Sequence, residues 1–482
     1  MDLIFREGFV VDGSGGPRRI SDVGVKNGRI VAVGSVSQTA RRAIDARGLI
    51  VAPGFIDVHT HDDRLALIRP DMAPKISQGV TTIVGGNCGI AAVPVPLRGP
   101  PTPPLTLLAG ASADFFPSIA SYRRALVAAQ PATNVVMLAG HTSLRAATME
   151  QLDRPARENE IAAMQIALRE ALTEGASGLS TGLYYPPAQS APPREVEALL
   201  RVVADHGGLQ TAHLRDEGDR VIAAIDEAFN CAFAAGVPLV VSHLKCASTA
   251  VWGTARKLLQ RIEAAQLRQK VAFDVYPYDA SSTMLSPDRL ADARRITVSW
   301  SDSYPEMAGR DLDEIASCWC CAQGEAARRL SPAGGIFYKM QERDVRAILA
   351  HPGAMIGSDG LPHDKHPHPR LWGTFPRVLG RYVRELRLMP LEDAIRRMTA
   401  LPAAVFGLID RGMIAEGMHA DITVFDEAGI VDRATFDEPL RVSHGIRCVL
   451  VNGQEVFDAE GLTGARPGQF LTRAGMRQPS TV

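Results

Sequence analysis

Eight short apolar runs, rich in Val, Ile and Gly and separated by helical stretches, constrain this fold more than any other feature of the chain. In order they are "LIVAPGFIDV", "VTTIVGG", "NVVMLAG", "ASGLSTG", "LQTAH", "VPLVVSH", "VAFDVY" and "AMIGSD". Stretches such as "ENEIAAMQIALREALTEG" and "REVEALLRVVADHG" lie between them. Continuous apolar runs alternating with helices read as parallel strands buried on both faces. Eight of them predict closure into a (β/α)8 barrel of the TIM type, whose chemistry sits at the C-terminal ends of the strands. The polar residues fall at those ends: His59 and His61, Cys88, His141, Ser180 and Thr181, His213, His243, Tyr276 and Asp359.

The two chain ends follow a different pattern. The first fifty residues alternate apolar and polar, with an Asn-Gly turn in "VKNGRIVAVG". "RCVLVNGQEVFD" repeats that grammar near the other end. We therefore expect a small β-sandwich domain built from residues 1–53 and 413–482, flanking a barrel over 54–412. Two segments break the repeat: a Pro-rich loop after Cys88, and an insertion at about 284–340. An insertion of that length on a catalytic face reads as a lid or substrate wall, with a surface excursion as the alternative.

Composition narrows the partners. A formal net charge of −1 and no basic stripe argue against nucleic acid. No apolar run is long enough to span a membrane, and the first residues lack the apolar stretch of a signal peptide. Seven cysteines without framework spacing suit a reducing cytoplasm, which is the expected location. "CWCC" (Cys318, Cys320, Cys321) lacks a second paired cluster and reads as partly buried free thiols rather than a zinc knuckle. Oligomeric state leaves no mark on the sequence.

His59 and His61 lie two apart on a strand, so both imidazoles face the barrel interior. A lone histidine there is more often a hydrogen-bonded core residue; a His-x-His pair at a strand end points to metal. His213 and His243 cap two further strands and converge on the same mouth. Asp359 in "IGSDG" is either a turn residue or a carboxylate that takes a proton from water and returns it to a leaving amine. A thiolate from Cys88 among these histidines would favour zinc over magnesium or manganese. The glycines of "GGNCG" would clear space for metal and substrate beside it. The alternative is a buried, inert cysteine.

Lys245, Arg370, Tyr276 and Ser282 suggest recognition of a carboxylate, Arg370 through its planar fork and Tyr276 and Ser282 as hydrogen-bond donors. Solvated surface charge is the ordinary alternative for Lys245 and Arg370. His363, His366 and His368 stand in a Pro-broken stretch, which suits loop residues that position substrate or Asp359 better than a further metal site.

The motifs "PGFIDVHTHDD", "GGNCG", "GLSTGLYYPP", "TAHLRDE", "SHLK", "VYPYDASST" and "IGSDGLPHDKHPHPRLWGTFPRVLG" closely resemble those of N-acyl-D-amino-acid deacylases (D-aminoacylases) of the amidohydrolase superfamily, nearly end to end. Many superfamily members carry a carboxylated lysine at the end of strand four, and this chain has none there. The resemblance implies that Cys88 replaces it. It further implies a tight zinc held by Cys88, His213 and His243, with a weaker second position near His59, His61 and Asp359. It makes Lys245, Arg370, Tyr276 and Ser282 a clamp for the amino acid's α-carboxylate, with Tyr185 lining the site. The expected reaction is zinc-dependent hydrolysis of N-acyl-D-amino acids, with apolar side chains preferred. The alternatives are an N-acyl-D-glutamate or N-acyl-D-aspartate deacylase, or a cyclic amidohydrolase of the hydantoinase or dihydroorotase kind. A barrel that had lost its metal and served as a scaffold would not keep all four histidines, the cysteine and the aspartate.

Overall fold

The apolar runs form parallel strands in the computed structural model, which describes residues 1–97, 99–291 and 293–476. We number them β1 (Phe55–Asp57), β2 (Val80–Gly85), β3 (Asn134–Met137, continued by Ala139–Gly140) and β4 (Gly178–Gly182). The remaining four are β5 (Leu209–His213), β6 (Leu239–Val241), β7 (Val271–Val275) and β8 (Ala354–Ile356). Each pairs in parallel with the next. A parallel bridge between Thr60 and Gly360 brings β8 back beside β1, where the Asp359 N–H donates to the His59 carbonyl at 2.7 Å. The ring of strands is thereby closed.

The helices cover this ring because their apolar residues recur at three- and four-residue spacing. Helix Glu158–Thr173 buries Ile161, Met164, Leu168, Ala171 and Leu172, and its other face is solvated. Helix Pro193–Asp205, started by a proline whose fixed φ suits a first turn, buries Val196, Leu199, Leu200 and Val203.

Both chain ends contribute to one nine-stranded sheet. Its seam is the antiparallel pairing of Ile50–Pro53 with Ile422–Phe425, Val51 opposite Val424. Phe5, Val23, Val51, Ile422, Val424 and Leu450 form its separate core. The two Asn-Gly turns take the left-handed backbone that tight hairpins need, at Asn27 and Gly28 (φ 51° and 75°) and at Asn452 and Gly453 (φ 49° and 79°). The last described strand behaves differently: Phe470–Leu471 leaves this sheet and pairs in parallel with β3, Phe470 beside Val135.

After β7 the chain builds a small unit of its own. Strands Ser281–Met284, Ile296–Ser301 and Ala333–Phe337 form an antiparallel sheet, packed under helices Leu312–Cys318 and Gln323–Leu330. Val298, Leu312, Ile315, Ala326 and Leu330 fill its interior. The insertion is therefore a folded wall on the catalytic face. Its thiols are unpaired by disulfides, but Cys318 and Cys320 are exposed and only Cys321 is half-buried, which corrects the expectation that they are partly buried.

Candidate active site

Under the barrel mouth lies a buried ionic pillar. The Lys75 ammonium sits 2.8 Å from Asp57 and 3.2 Å from Asp62 and donates to the Ser358 hydroxyl at 2.8 Å. Asp57 also accepts the Ser358 N–H at 2.8 Å and the His59 N–H at 3.3 Å. The segment carrying His59 and His61 is thus tied to the one carrying Asp359 by groups that water does not reach.

Three of the six strand-end residues occupy strained backbone. Cys88, His243 and Asp359 have φ of 56°, 35° and 50°, in the left-handed region that non-glycine residues rarely enter. Such strain persists only where the surroundings impose it, and it clusters at functional positions. At Cys88 the imposing group is Ser180 on β4, whose hydroxyl accepts the Gly89 N–H at 3.0 Å and donates to the Gly86 carbonyl. The glycines on either side make room for backbone rather than for substrate, which corrects the expectation from the sequence. A Cβ on Gly86 would lie 2.3 Å from the Leu138 oxygen, and one on Gly89 would lie 2.6 Å from the Gly182 nitrogen.

The turn places the Cys88 sulfur among imidazoles. Sγ is 3.1 Å from His59 Nε2, 3.3 Å from His243 Nε2 and 3.4 Å from His213 Nδ1, and the last two nitrogens are 3.0 Å apart. On the other side, Asp359 Oδ1 lies 3.2 Å from His61 Nε2 and 3.5 Å from His59 Nε2. Two ligand groups result, Cys88 with His213 and His243, and Cys88 with His59, His61 and Asp359, each within 4.8 Å. Ligands that share one zinc at about 2.0–2.3 Å stand roughly 3.3–3.7 Å from each other. The donor set fits that ion, the separations of 3.0–3.5 Å lying at or slightly inside that range, with Cys88 able to serve both positions.

The electrostatics agree with an anionic sulfur. Burial opposes ionisation of the Cys88 thiol, yet the His59, His243 and His213 charges outweigh it and hold the group well below its ordinary range. Burial similarly opposes ionisation of Asp359, and the Arg370 guanidinium overrides it, holding the carboxyl well below its usual value.

Two carboxylates escaped sequence reasoning. Glu217 Oε1 stands 3.0 Å from His243 Nδ1 and 2.7 Å from Lys245 Nζ, and Oε2 stands 3.6 Å from His213 Nε2. Asp274 Oδ2 lies 3.4 Å from His59 Nδ1, while its Oδ1 accepts the His243 N–H at 2.9 Å. When His243 Nε2 faces a cation, Nδ1 carries the proton and Glu217 is its acceptor, which fixes the ring. The signals were present: Glu217 is four residues after His213 in "TAHLRDE", and Asp274 is the penultimate residue of β7, two before Tyr276.

The residues expected to hold a carboxylate gather on one side. Arg370 is fully buried, its Nη1 2.7 Å from Asp359 Oδ2 and its Nη2 donating to the Ser282 carbonyl at 3.3 Å. Its guanidinium lies 4.7 Å from the centre of the Tyr276 ring, and the Lys245 ammonium lies 5.6 Å from the same ring. Tyr185 pairs its hydroxyl with Thr283 at 3.2 Å and packs on His213. Lys245, Tyr185 and Ser282 line one cavity together with His61, His213 and Asp359. Arg370 and Tyr276 stand immediately behind that wall. His141 belongs elsewhere, held 3.0 Å from Glu195 in a buried cluster with Arg145.

The model of the amidohydrolase family matches residues 42–284 and 253–457. A D-aminoacylase of Alcaligenes xylosoxydans xylosoxydans is 48% identical over 98% of this chain and 98% of its own length. An N-acyl-D-glutamate deacylase from the same organism is 48% identical, over 98% and 97%. Among solved structures, a D-aminoacylase with a binuclear metal centre superposes with a TM-score of 0.96 at 48% identity, covering 98% of this chain and all of that one. The N-acyl-D-glutamate deacylase of Bordetella bronchiseptica, complexed with zinc and a phosphonate mimic of the tetrahedral intermediate, gives 0.95 at 48% identity over 98% and 99%. A D-hydantoinase at 16% identity (TM-score 0.59, over 99% and 100%) shares the fold alone. The chain belongs to the amidohydrolase family and, within it, to the N-acyl-D-amino-acid deacylases.

Proposed function

We propose that this protein hydrolyses the amide bond of N-acyl-D-amino acids, releasing a D-amino acid and a carboxylate, with zinc as its metal. The observation that carries the reading is the Cys88 thiol in van der Waals range of three imidazoles where the barrel has no strand-four lysine. Cys88, His213 and His243 would hold the tight ion, and His59, His61 and Asp359 would line a second, weaker position. Zinc bound there supplies a Lewis acid for the amide carbonyl and acidifies water.

The remaining work falls to the chain. Asp359, within reach of both His59 and His61, takes the proton of the attacking water and delivers it to the departing amine. Arg370, Lys245, Tyr276 and Ser282 supply positive charge and hydroxyls on one side of the cavity for the α-carboxylate. Glu217 and Asp274 keep the imidazoles turned toward the metal. Tyr185, with Leu107 and Leu361, gives the cavity an apolar flank that excludes water and suits an aliphatic or aromatic side chain.

One observation favours a second reading of side-chain preference. Lys339 lines the same cavity and has no carboxylate partner among the described residues, so an acidic side chain would find a counter-charge there. Assaying the zinc-loaded protein on N-acetyl-D-methionine, -leucine, -phenylalanine, -glutamate and -aspartate ranks the two. Acetate release from at least one is expected; release from none of them overturns the proposal.

A further inference from the structure

The histidines of "HDKHPHPR" lie in a loop that connects the site to distant parts of the chain. His366 Nε2 donates to the Phe436 carbonyl at 2.7 Å, and its N–H donates to Ser299 of the insertion at 2.9 Å. His368 is buried between the Phe436 ring, 5.0 Å away, and the edge-on Tyr278 ring at 5.1 Å. Both of its nitrogens are engaged. Nε2 is 3.1 Å from the Ala280 carbonyl, and Nδ1 accepts the Arg370 N–H at 3.0 Å. A carbonyl can only accept and an N–H can only donate, so one neutral tautomer satisfies both bonds. Burial, reinforced by the Arg370 charge, holds this imidazole well below its ordinary pKa and keeps it in that form.

Arg370 opens helix Arg370–Arg377, and the first N–H groups of a helix have no partner within it. Those two hydrogen bonds register the helix start against Ala280, just ahead of strand Ser281–Met284. From that start the guanidinium reaches Asp359 at 2.7 Å and the Ser282 carbonyl at 3.3 Å. We propose that His368 is a positioning residue for Arg370, setting where its guanidinium meets both Asp359 and the α-carboxylate of the substrate. This rests on the deacylase reading for the substrate half, and on geometry alone for the Asp359 half.

Two isosteric substitutions separate the two bonds of the ring. His368→Asn keeps an acceptor at the Nδ1 position, and His368→Gln keeps a donor at the Nε2 position without that acceptor. The zinc-loaded variants are assayed on N-acetyl-D-methionine and on its carboxamide, which lacks the anionic group, with zinc content and melting temperature recorded for each. The Gln variant is expected to raise KM for the acid about tenfold, with kcat lowered by less than about threefold on acid and carboxamide alike, so that the loss falls mainly on the acid. The Asn variant is expected to stay within about twofold of the parent. Equal losses on acid and carboxamide, or an Asn variant as impaired as Gln, overturn the proposal. If the parent hydrolyses neither compound, the deacylase reading falls separately. The crystal structure of the Gln variant then decides: separation of Arg370 from Asp359 supports the positioning role, and an ion pair still near 2.7 Å removes it.

Discussion

On the proposed function, Cys88 would hold a metal and Asp359 would move a proton. Cys88 belongs to both ligand groups, so Cys88→Ala removes the one residue common to them. We expect it to lose zinc, measured by metal analysis of the purified variant; zinc retained at one equivalent would contradict the assignment. Asp359→Ala should keep zinc and lose about 10²–10⁴ in kcat, the usual contribution of a placed acid–base group. Each of these residues was legible from its place just past an apolar run, although both stand in left-handed backbone beyond the strand, where period-two alternation no longer sets direction. Glu217 and Asp274 were passed over, since their spacing from a ligand histidine or a strand end marks a position and not the contact they make. The Arg370–Asp359 ion pair was also hidden, because it joins a helix start to a neighbouring strand end that the chain alone does not bring into contact.

At the scale of elements, the site depends on how strands meet below it. A Cβ at Gly182 on β4 would stand 1.9 Å from the Cys88 carbonyl, so the strand can approach the cysteine turn only as glycine. The Lys75 pillar has a similar role between β1 and β8. Lys75→Met would leave Asp57 and Asp62 buried without their cation, a loss of about 3–5 kcal/mol expected from breaking a buried pair at one end. Denaturant unfolding of the variant checks this, and a change below about 1 kcal/mol would show the pair to be dispensable. The eight strands and the Asn-Gly hairpins could be read from sequence because their signals are local. The return of Phe470–Leu471 to β3 could not, since two residues of pairing carry no periodicity.

Over the whole molecule, the insertion, the barrel and the segment around Phe436 meet around the loop that follows β8. Asp364 is buried in that loop, and burial pushes its carboxyl up to about 7 against the opposing influence of Ser299 and Arg370. In the unfolded chain it ionises near 3.8. Between those values the unfolded state holds fewer protons, so this group lowers stability as pH rises toward 7. Melting temperatures at pH 5 and pH 8 should differ less for Asp364→Asn than for the parent; an unchanged difference would contradict the shift. The helical wheel and the strand pattern do not reveal such a group, because its burial comes from three units meeting around one loop. The proposed amide hydrolysis takes place at the barrel mouth beside that loop. It is tested most directly by incubating the zinc-loaded protein with racemic N-acetyl-methionine and N-acetyl-leucine and resolving the free amino acids on a chiral column. D-amino acid alone is expected, with the L-acyl compound left intact; release of the L-amino acid, or of both enantiomers equally, would overturn the deacylase assignment.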